Sequence, residues 1–233
     1  MTTRATDFFA PLTRRASYTT RAKGKFYSYA YYRKKFRHEI VSDCAERCVY
    51  CDSHENEVGG RDAMELDHFR PWSRAEFKHL KDDPNNLLHV CGRCNRLKGA
   101  NWPSTKTGQP HDGRVGFIDP FGCDRRDYFA VNDDGSLLCL KHPATYMARL
   151  LALDRPLLRL LRLRRILRKE VEAYVNRMLP ELEAAKNGGG SLSREQLAEA
   201  AIKVCEFNRL LDLCDTSLDR LRDIASAAAR MRL

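Results

Sequence analysis

The sequence predicts an α+β protein, mainly helical, with a zinc-stapled core, a basic N-terminal arm and a C-terminal helical bundle. Three observations carry that expectation. Two Cys-x-x-Cys pairs, Cys48/Cys51 and Cys91/Cys94, bracket a short polar and apolar stretch. The first forty residues are dense in Lys, Arg and aromatic rings. Beyond Pro143, leucines and arginines recur at helical spacing.

A chain of 233 residues can bury a core of its own, as one domain with appendages or as two small domains. Its apolar fraction of 43% and charged fraction of 31% suit a globular protein and exclude a collagenous or low-complexity one. No stretch approaches the roughly 18 uninterrupted apolar residues of a membrane span. The opening Met-Thr-Thr-Arg contains no apolar run of signal-peptide type, so a cytoplasmic location and no membrane partner are expected. The formal charge of +10 points toward a polyanion, nucleic acid or an anionic surface.

Segment 1–40 carries ten Lys/Arg against two acidic residues. Phe26, Tyr27, Tyr29, Tyr31, Tyr32 and Phe36 are interleaved with that charge. Such a pattern suits phosphate attraction and base stacking, with Arg33, Lys34 and Lys35 as candidate nucleic-acid contacts; a packed arm with solvated lysines is the alternative. A helix-like segment from about residue 41 leads to the first cysteine pair, and Asp52 to Asp62 reads as a loop. Met64 to Phe69 reads as a strand stopped by Pro71, which cannot donate to a ladder. Residues 73–86 are expected as polar loop with a turn at Asp83-Pro84-Asn85. Cys94 to Lys98 reads as a short helix ended by Gly99. Residues 99–118 are expected as exposed loop. Tyr128–Val131 and Leu137–Leu140, around Asp133-Asp134-Gly135, predict a β-hairpin. Helices are expected over 144–178 and again from a capping box at Ser193–Gln196, with Arg155, Arg159 and Arg162 on a solvated face. The expected organisation is therefore an arm at 1–40, a core at 41–104, loop and hairpin at 105–143, and a helical region at 144–233.

Nine cysteines, an odd number without an export signal, argue for metal ligation or burial and against disulfides. Two Cys-x-x-Cys pairs separated by a long insert are zinc-ligand spacing: each knuckle turns two thiolates toward one tetrahedral ion. Four thiolates close the site, which makes Cys48, Cys51, Cys91 and Cys94 a structural Zn²⁺ set that leaves no position for reacting water. Cys44, Cys123, Cys139, Cys205 and Cys214 are read as free thiols in apolar surroundings.

Cys48-Val-Tyr-Cys51, Glu65-Leu-Asp67-His68-Phe-Arg-Pro71 and Asn86-Leu-Leu-His-Val-Cys91-Gly-Arg-Cys94-Asn95-Arg-Leu-Lys98 together resemble the HNH, or ββα-metal, endonuclease family. The resemblance implies a ββα-metal HNH core: two antiparallel strands and a helix around one divalent cation. It implies Asp67 and Asn95 as ligands of a catalytic Mg²⁺ or Mn²⁺, His68 as general base, and Asn86 as the amide that braces the loop and orients the histidine. Arg96 and Lys98, on the motif helix, become candidate phosphate contacts, while His89 reads as a strand residue near the site and Glu65 as an aid to the metal or a partner of Arg70. The implied activity is phosphodiester hydrolysis on DNA.

Phe117-Ile-Asp-Pro120, the hairpin with its Asp134-Gly135 turn and the pattern Ala144-Thr145…Leu153-Asp154…Leu158 resemble, on shorter motifs, HNH nucleases of Septu-type bacterial anti-phage systems. That would imply an ATPase partner docked on the C-terminal helices. Two other readings stand beside the DNA nuclease: a non-catalytic zinc-knuckle module that binds nucleic acid, and an RNase.

Overall fold

The computed structural model describes residues 8–105, 108–187, 193–195, 198, 202 and 205. The chain divides into two compact units, Met1–Leu158 and Arg159–Leu233.

In the first unit the N-terminal segment is packed into the body. Phe8 and Phe9 are buried, and Phe9 stacks on Phe129 at 5.0 Å. Arg125, itself buried, donates to Ala10 O, Val49 O and Asp52 Oδ1, joining three distant stretches through one planar fork. A helical turn α1 (Tyr29–Tyr31) passes through a π-helical stretch, Tyr32–Phe36, into α2 (Arg37–Asp43). Two buried carboxylates on α2 anchor the preceding chain: Glu39 accepts from Thr19, and Asp43 accepts from Arg15 and from Tyr18 OH. Burying those acids is tolerable because each is hydrogen-bonded. Of the two expectations for this segment the packed arm is the one observed at Phe8, Phe9, Tyr18 and Tyr32, whereas Phe26 and Tyr31 stay exposed.

Strands β1 (Met64–His68) and β2 (Leu87–Cys91) pair antiparallel, with Asp67 opposite Leu88 and His68 opposite Leu87. All five residues of β2 are buried, as expected for a short apolar run covered on both faces. Helix α3 (Gly92–Lys98) follows β2 directly and ends where Gly99 adopts φ +50°. A second antiparallel pair, β3 (Phe129–Val131) and β4 (Leu137–Cys139), forms the expected hairpin. Helix α4 (Ala144–Leu150) then leads into α5 (Pro156–Asn187).

Two expectations need correction. Residues 99–118 are not simply exposed: Trp102, Phe117 and Ile118 are buried, and Trp102 meets the rings of Phe69, Phe77 and Phe117. The run 73–86 contains two 3₁₀ helices, Ala75–Leu80 and Pro84–Asn86, with Phe77 buried.

In the second unit the described helix carries Leu160, Leu161, Arg162 and Ile166 as buried residues, whereas Arg168 and Lys169 are exposed. Arg162 therefore does not lie on a solvated face. The expected helix from Ser193 to about Cys214 and the final alanine-rich helix fall largely or wholly outside the described residues. No helix among the described residues is long and apolar enough to cross a membrane.

Candidate active site

The four knuckle cysteines come together. Their sulfurs all lie within 4.8 Å of one another, and Cys51 Sγ stands 3.9 Å from Cys91 Sγ. Zinc–thiolate bonds of about 2.3 Å in a tetrahedron place sulfurs about 3.8 Å apart, so the set fits one zinc ion. All four residues are buried. Hydrogen bonds from Cys48, Cys51 and Cys94 drive the Cys91 thiol far below its ordinary range, while burial pushes Cys48 well up. A central cation removes that conflict by letting all four be thiolates. Arg155 adds a cation beside them: burial opposes its charge, but the Cys94, Cys51 and Cys91 sulfurs outweigh that and hold its pKa above the usual value. Cys44 is buried but stands outside the cluster, accepting from His89 N at 3.4 Å.

The knuckles also hold Asp67. Tyr50, between Cys48 and Cys51, donates its hydroxyl to Asp67 Oδ2 at 2.7 Å. Lys98, four residues beyond Cys94, places Nζ 3.2 Å from Oδ1 and 3.0 Å from Oδ2. The same ammonium donates to His68 O at 2.8 Å. Burial pushes the Asp67 carboxyl above its ordinary range against the opposing pull of Lys98 and Tyr50.

The neighbouring His68 is oriented by the loop between the strands. Its Nε2 lies 2.8 Å from Lys81 O, and because a carbonyl can only accept, Nε2 carries the proton and Nδ1 keeps its lone pair. Burial lowers the His68 pKa, which favours that neutral form. Asn86 braces the same loop with both ends of its amide: Oδ1 accepts from Arg70 N at 2.9 Å, and Nδ2 donates to Arg70 O at 2.9 Å and to Leu80 O at 3.4 Å.

Asn95, on the exposed side of α3, donates Nδ2 to Glu65 Oε2, leaving its carbonyl oxygen uncommitted by that bond. Asp67, His68 and Asn95 line one cavity of about 340 Å³, together with Tyr29, Trp72 and Arg96. A strand end, a braced loop and a helix thus bring a carboxylate, an imidazole and an amide to one place. Residues 48–101 match the HNH endonuclease family model. This match supports a nuclease-type function for the segment, and the four-cysteine cluster fits a zinc-bound HNH core. No curated protein and no solved structure matches the chain.

Within the HNH domain the remaining expected residues fall into different places. Arg96 is exposed at the cavity wall. Lys98 lies inside, bound to Asp67, where it acts as an internal counter-ion rather than a surface contact for phosphate. Outside the domain, Arg33, Lys34 and Lys35 are exposed on the π-helical stretch; the Arg33 charge acts on the Tyr29 hydroxyl, while Lys34 and Lys35 are not among the cavity's lining residues. His89 is on β2 as expected, but its ring lies 3.3 Å from Glu55 and does not line the cavity. Glu65 pairs with Asn95 instead of Arg70, whose guanidinium donates to Gly108 O.

The sequence pattern did not single out Tyr50, the Lys81 carbonyl or Trp72, and marked Tyr29 only as one of six aromatics in the basic segment. Tyr50 sits inside a Cys-x-x-Cys loop, where the two intervening residues carry no spacing rule. The aromatic pair was visible only as composition: Tyr29 lies 4.7 Å and Trp72 6.2 Å from the His68 ring.

Proposed function

We propose that this protein is a metal-dependent DNA endonuclease whose reaction takes place in the cavity lined by Asp67, His68 and Asn95. The observation that carries the reading is the geometry at His68, whose Nε2 meets the Lys81 carbonyl and whose ring lines one cavity with two hard-oxygen side chains, Asp67 and Asn95.

The donor set fits a hard divalent ion. Among the described residues Asp67 receives the Tyr50 hydroxyl and the Lys98 ammonium, and a carboxylate accepts about four hydrogen bonds, so acceptor capacity remains. Asn95 offers an amide oxygen at the same wall. Magnesium and manganese are bound by few protein oxygens and otherwise by water and phosphate. Bound by Asp67 and Asn95, such an ion would supply Lewis acidity to the phosphate and charge stabilisation to the leaving oxygen.

The chain's own residues do the rest. His68 Nδ1 takes the proton of an attacking water, and the Lys81 carbonyl stabilises the imidazolium that forms by accepting from Nε2. Asn86 keeps that carbonyl in position by clamping Arg70 and Leu80. Arg96 at the rim offers a charged donor to a neighbouring phosphate oxygen. Cys48, Cys51, Cys91 and Cys94 would hold a structural zinc ion, which would fix the segments that carry Tyr50 and Lys98 around Asp67.

A second reading has one observation in its favour. Asp67 already has an ammonium at 3.0 Å, which suits a structural carboxylate in a zinc-knuckle module that binds nucleic acid without cutting it. Incubating the protein with plasmid DNA and with RNA, each with magnesium, with manganese and without added divalent ion, separates the readings. Metal-dependent loss of DNA supports the proposal. Cutting of RNA alone makes it an RNase, and binding without cutting under every metal makes it the silent module. The anti-phage role and its ATPase partner rest on Phe117–Pro120, the hairpin with its Asp134-Gly135 turn and the 144–158 pattern; co-purification of an ATPase with the tagged full chain is their test.

A further inference from the structure

Tryptophan is the costliest side chain to leave in water, and this chain has two. Trp102 is buried among aromatic rings, whereas Trp72 is 38% exposed. Trp72 is not on a remote surface. It follows the buried Pro71, which is three residues beyond His68, and lines the same cavity as Asp67, His68 and Asn95. The described ring contacts of its indole are the tilted His68 ring at 6.2 Å and the Lys81 ammonium at 4.7 Å from its centroid. Tyr29 lines the cavity too, its ring 4.7 Å from His68. Arg96 at the wall and the Arg33 charge that acts on Tyr29 add positive charge around these rings.

An exposed indole flanked by cations, beside a site for a phosphate, is the chemistry that receives a nucleobase: the ring takes the π-face and the cations take the backbone. We infer that Trp72 is a stacking platform for one unpaired base next to the phosphate held at His68. The inference rests on the nuclease reading and narrows its substrate class. The 6.2 Å between the two rings is within the reach of one nucleotide, so base and phosphate can belong to the same or adjoining residues of a strand. Inside a duplex, away from its two ends, both faces of each base are covered by its neighbours. Stacking on Trp72 therefore requires a base that is single-stranded, mismatched or turned out of the helix. Lys81 links the two functions, since its carbonyl holds His68 and its ammonium lies on Trp72. A base seated on the indole thus fixes the loop that orients the general base.

The test uses the full, zinc-loaded chain in buffer without added divalent ion, so that nothing is cut. Three probes are compared: a short single-stranded oligodeoxynucleotide, its blunt duplex, and the single strand with one abasic position moved along it. The expected result is single-strand binding that quenches tryptophan fluorescence and is about 5- to 150-fold tighter than duplex binding, the range that one stacked base supplies. Trp72→Ala should abolish both the quenching and the preference. Trp72→Phe should retain part of the preference, and one abasic position should reproduce the loss in the wild-type chain. Equal affinity for strand and duplex, unchanged in Trp72→Ala, would overturn the platform while leaving the nuclease reading intact. Failure to bind any of the three would overturn both.

Discussion

Replacing Lys98 by methionine tests how the site is held together, because it removes the charge and keeps much of the apolar stem. The Lys98 side chain is fully buried, the Asp67 side chain is 8% exposed, and the ion pair spans 3.0 Å. Removing one partner of such a pair leaves a desolvated charge behind and costs about 3–5 kcal/mol. Two local features set where in that range the loss falls. His68 O also loses its 2.8 Å donor, which adds to the cost. Against this, burial already holds the Asp67 carboxyl high, and loss of Lys98 drives it higher, so Asp67 can escape by taking a proton. The lower part of the range follows, and for a chain of this size about 3 kcal/mol lowers Tm by about 6–12 °C. Differential scanning calorimetry at neutral pH reads the shift directly. The sign with pH is fixed: an acid whose folded pKa is raised contributes stability at low pH and loses it as pH rises through the folded value. The deficit of Lys98→Met should thus be largest at neutral and alkaline pH and shrink toward acid. Adding Asp67→Asn to Lys98→Met should recover part of the loss, since no buried charge is then left unpaired. A Tm within about 2 °C of wild type at pH 7 would refute the idea that Lys98 neutralises Asp67.

Three further outcomes follow from the geometry. Arg155→Ala should lose zinc to a competing chelator about 10-fold faster than wild type, with Arg155→Lys intermediate, because the guanidinium supports the Cys94 thiolate; a colorimetric zinc-release assay measures it. The acid limb of DNA cleavage should lie below pH 6.5, since burial lowers the His68 pKa and activity is lost only as Nδ1 becomes protonated; a pH–rate profile with the limb above 6.5 contradicts this. Asn86→Ala, which removes three hydrogen bonds to Arg70 and Leu80, should cost about 1–3 kcal/mol of stability and reduce cleavage while zinc content stays at one ion per chain.

The parts of the molecule legible in the sequence were those set by short-range chemistry. Cys48, Cys51, Cys91 and Cys94 announced a shared metal because knuckle spacing is a property of a few consecutive residues. Strand β1, the β3–β4 hairpin and the glycine end of α3 were likewise local. What could not be read depends on partners far along the chain. Lys98 and Arg155 look like solvated helix charges until Asp67 and Cys94 are placed beside them. Phe8, Phe9, Trp102 and Phe117 sit in segments with no helical or strand period, so nothing local marked them as buried. His89 was expected near the site because β2 passes it, but its ring is beside Glu55 and outside the cavity lining.

His68 as base and the sulfur cluster as keeper of the fold are separate roles. Plasmid nicking by equal amounts of wild type and His68→Ala, with zinc quantified in both, tests that division most directly. Full zinc occupancy is expected in each, with cleavage lost from the variant alone. Undiminished cutting by zinc-replete His68→Ala would contradict that division.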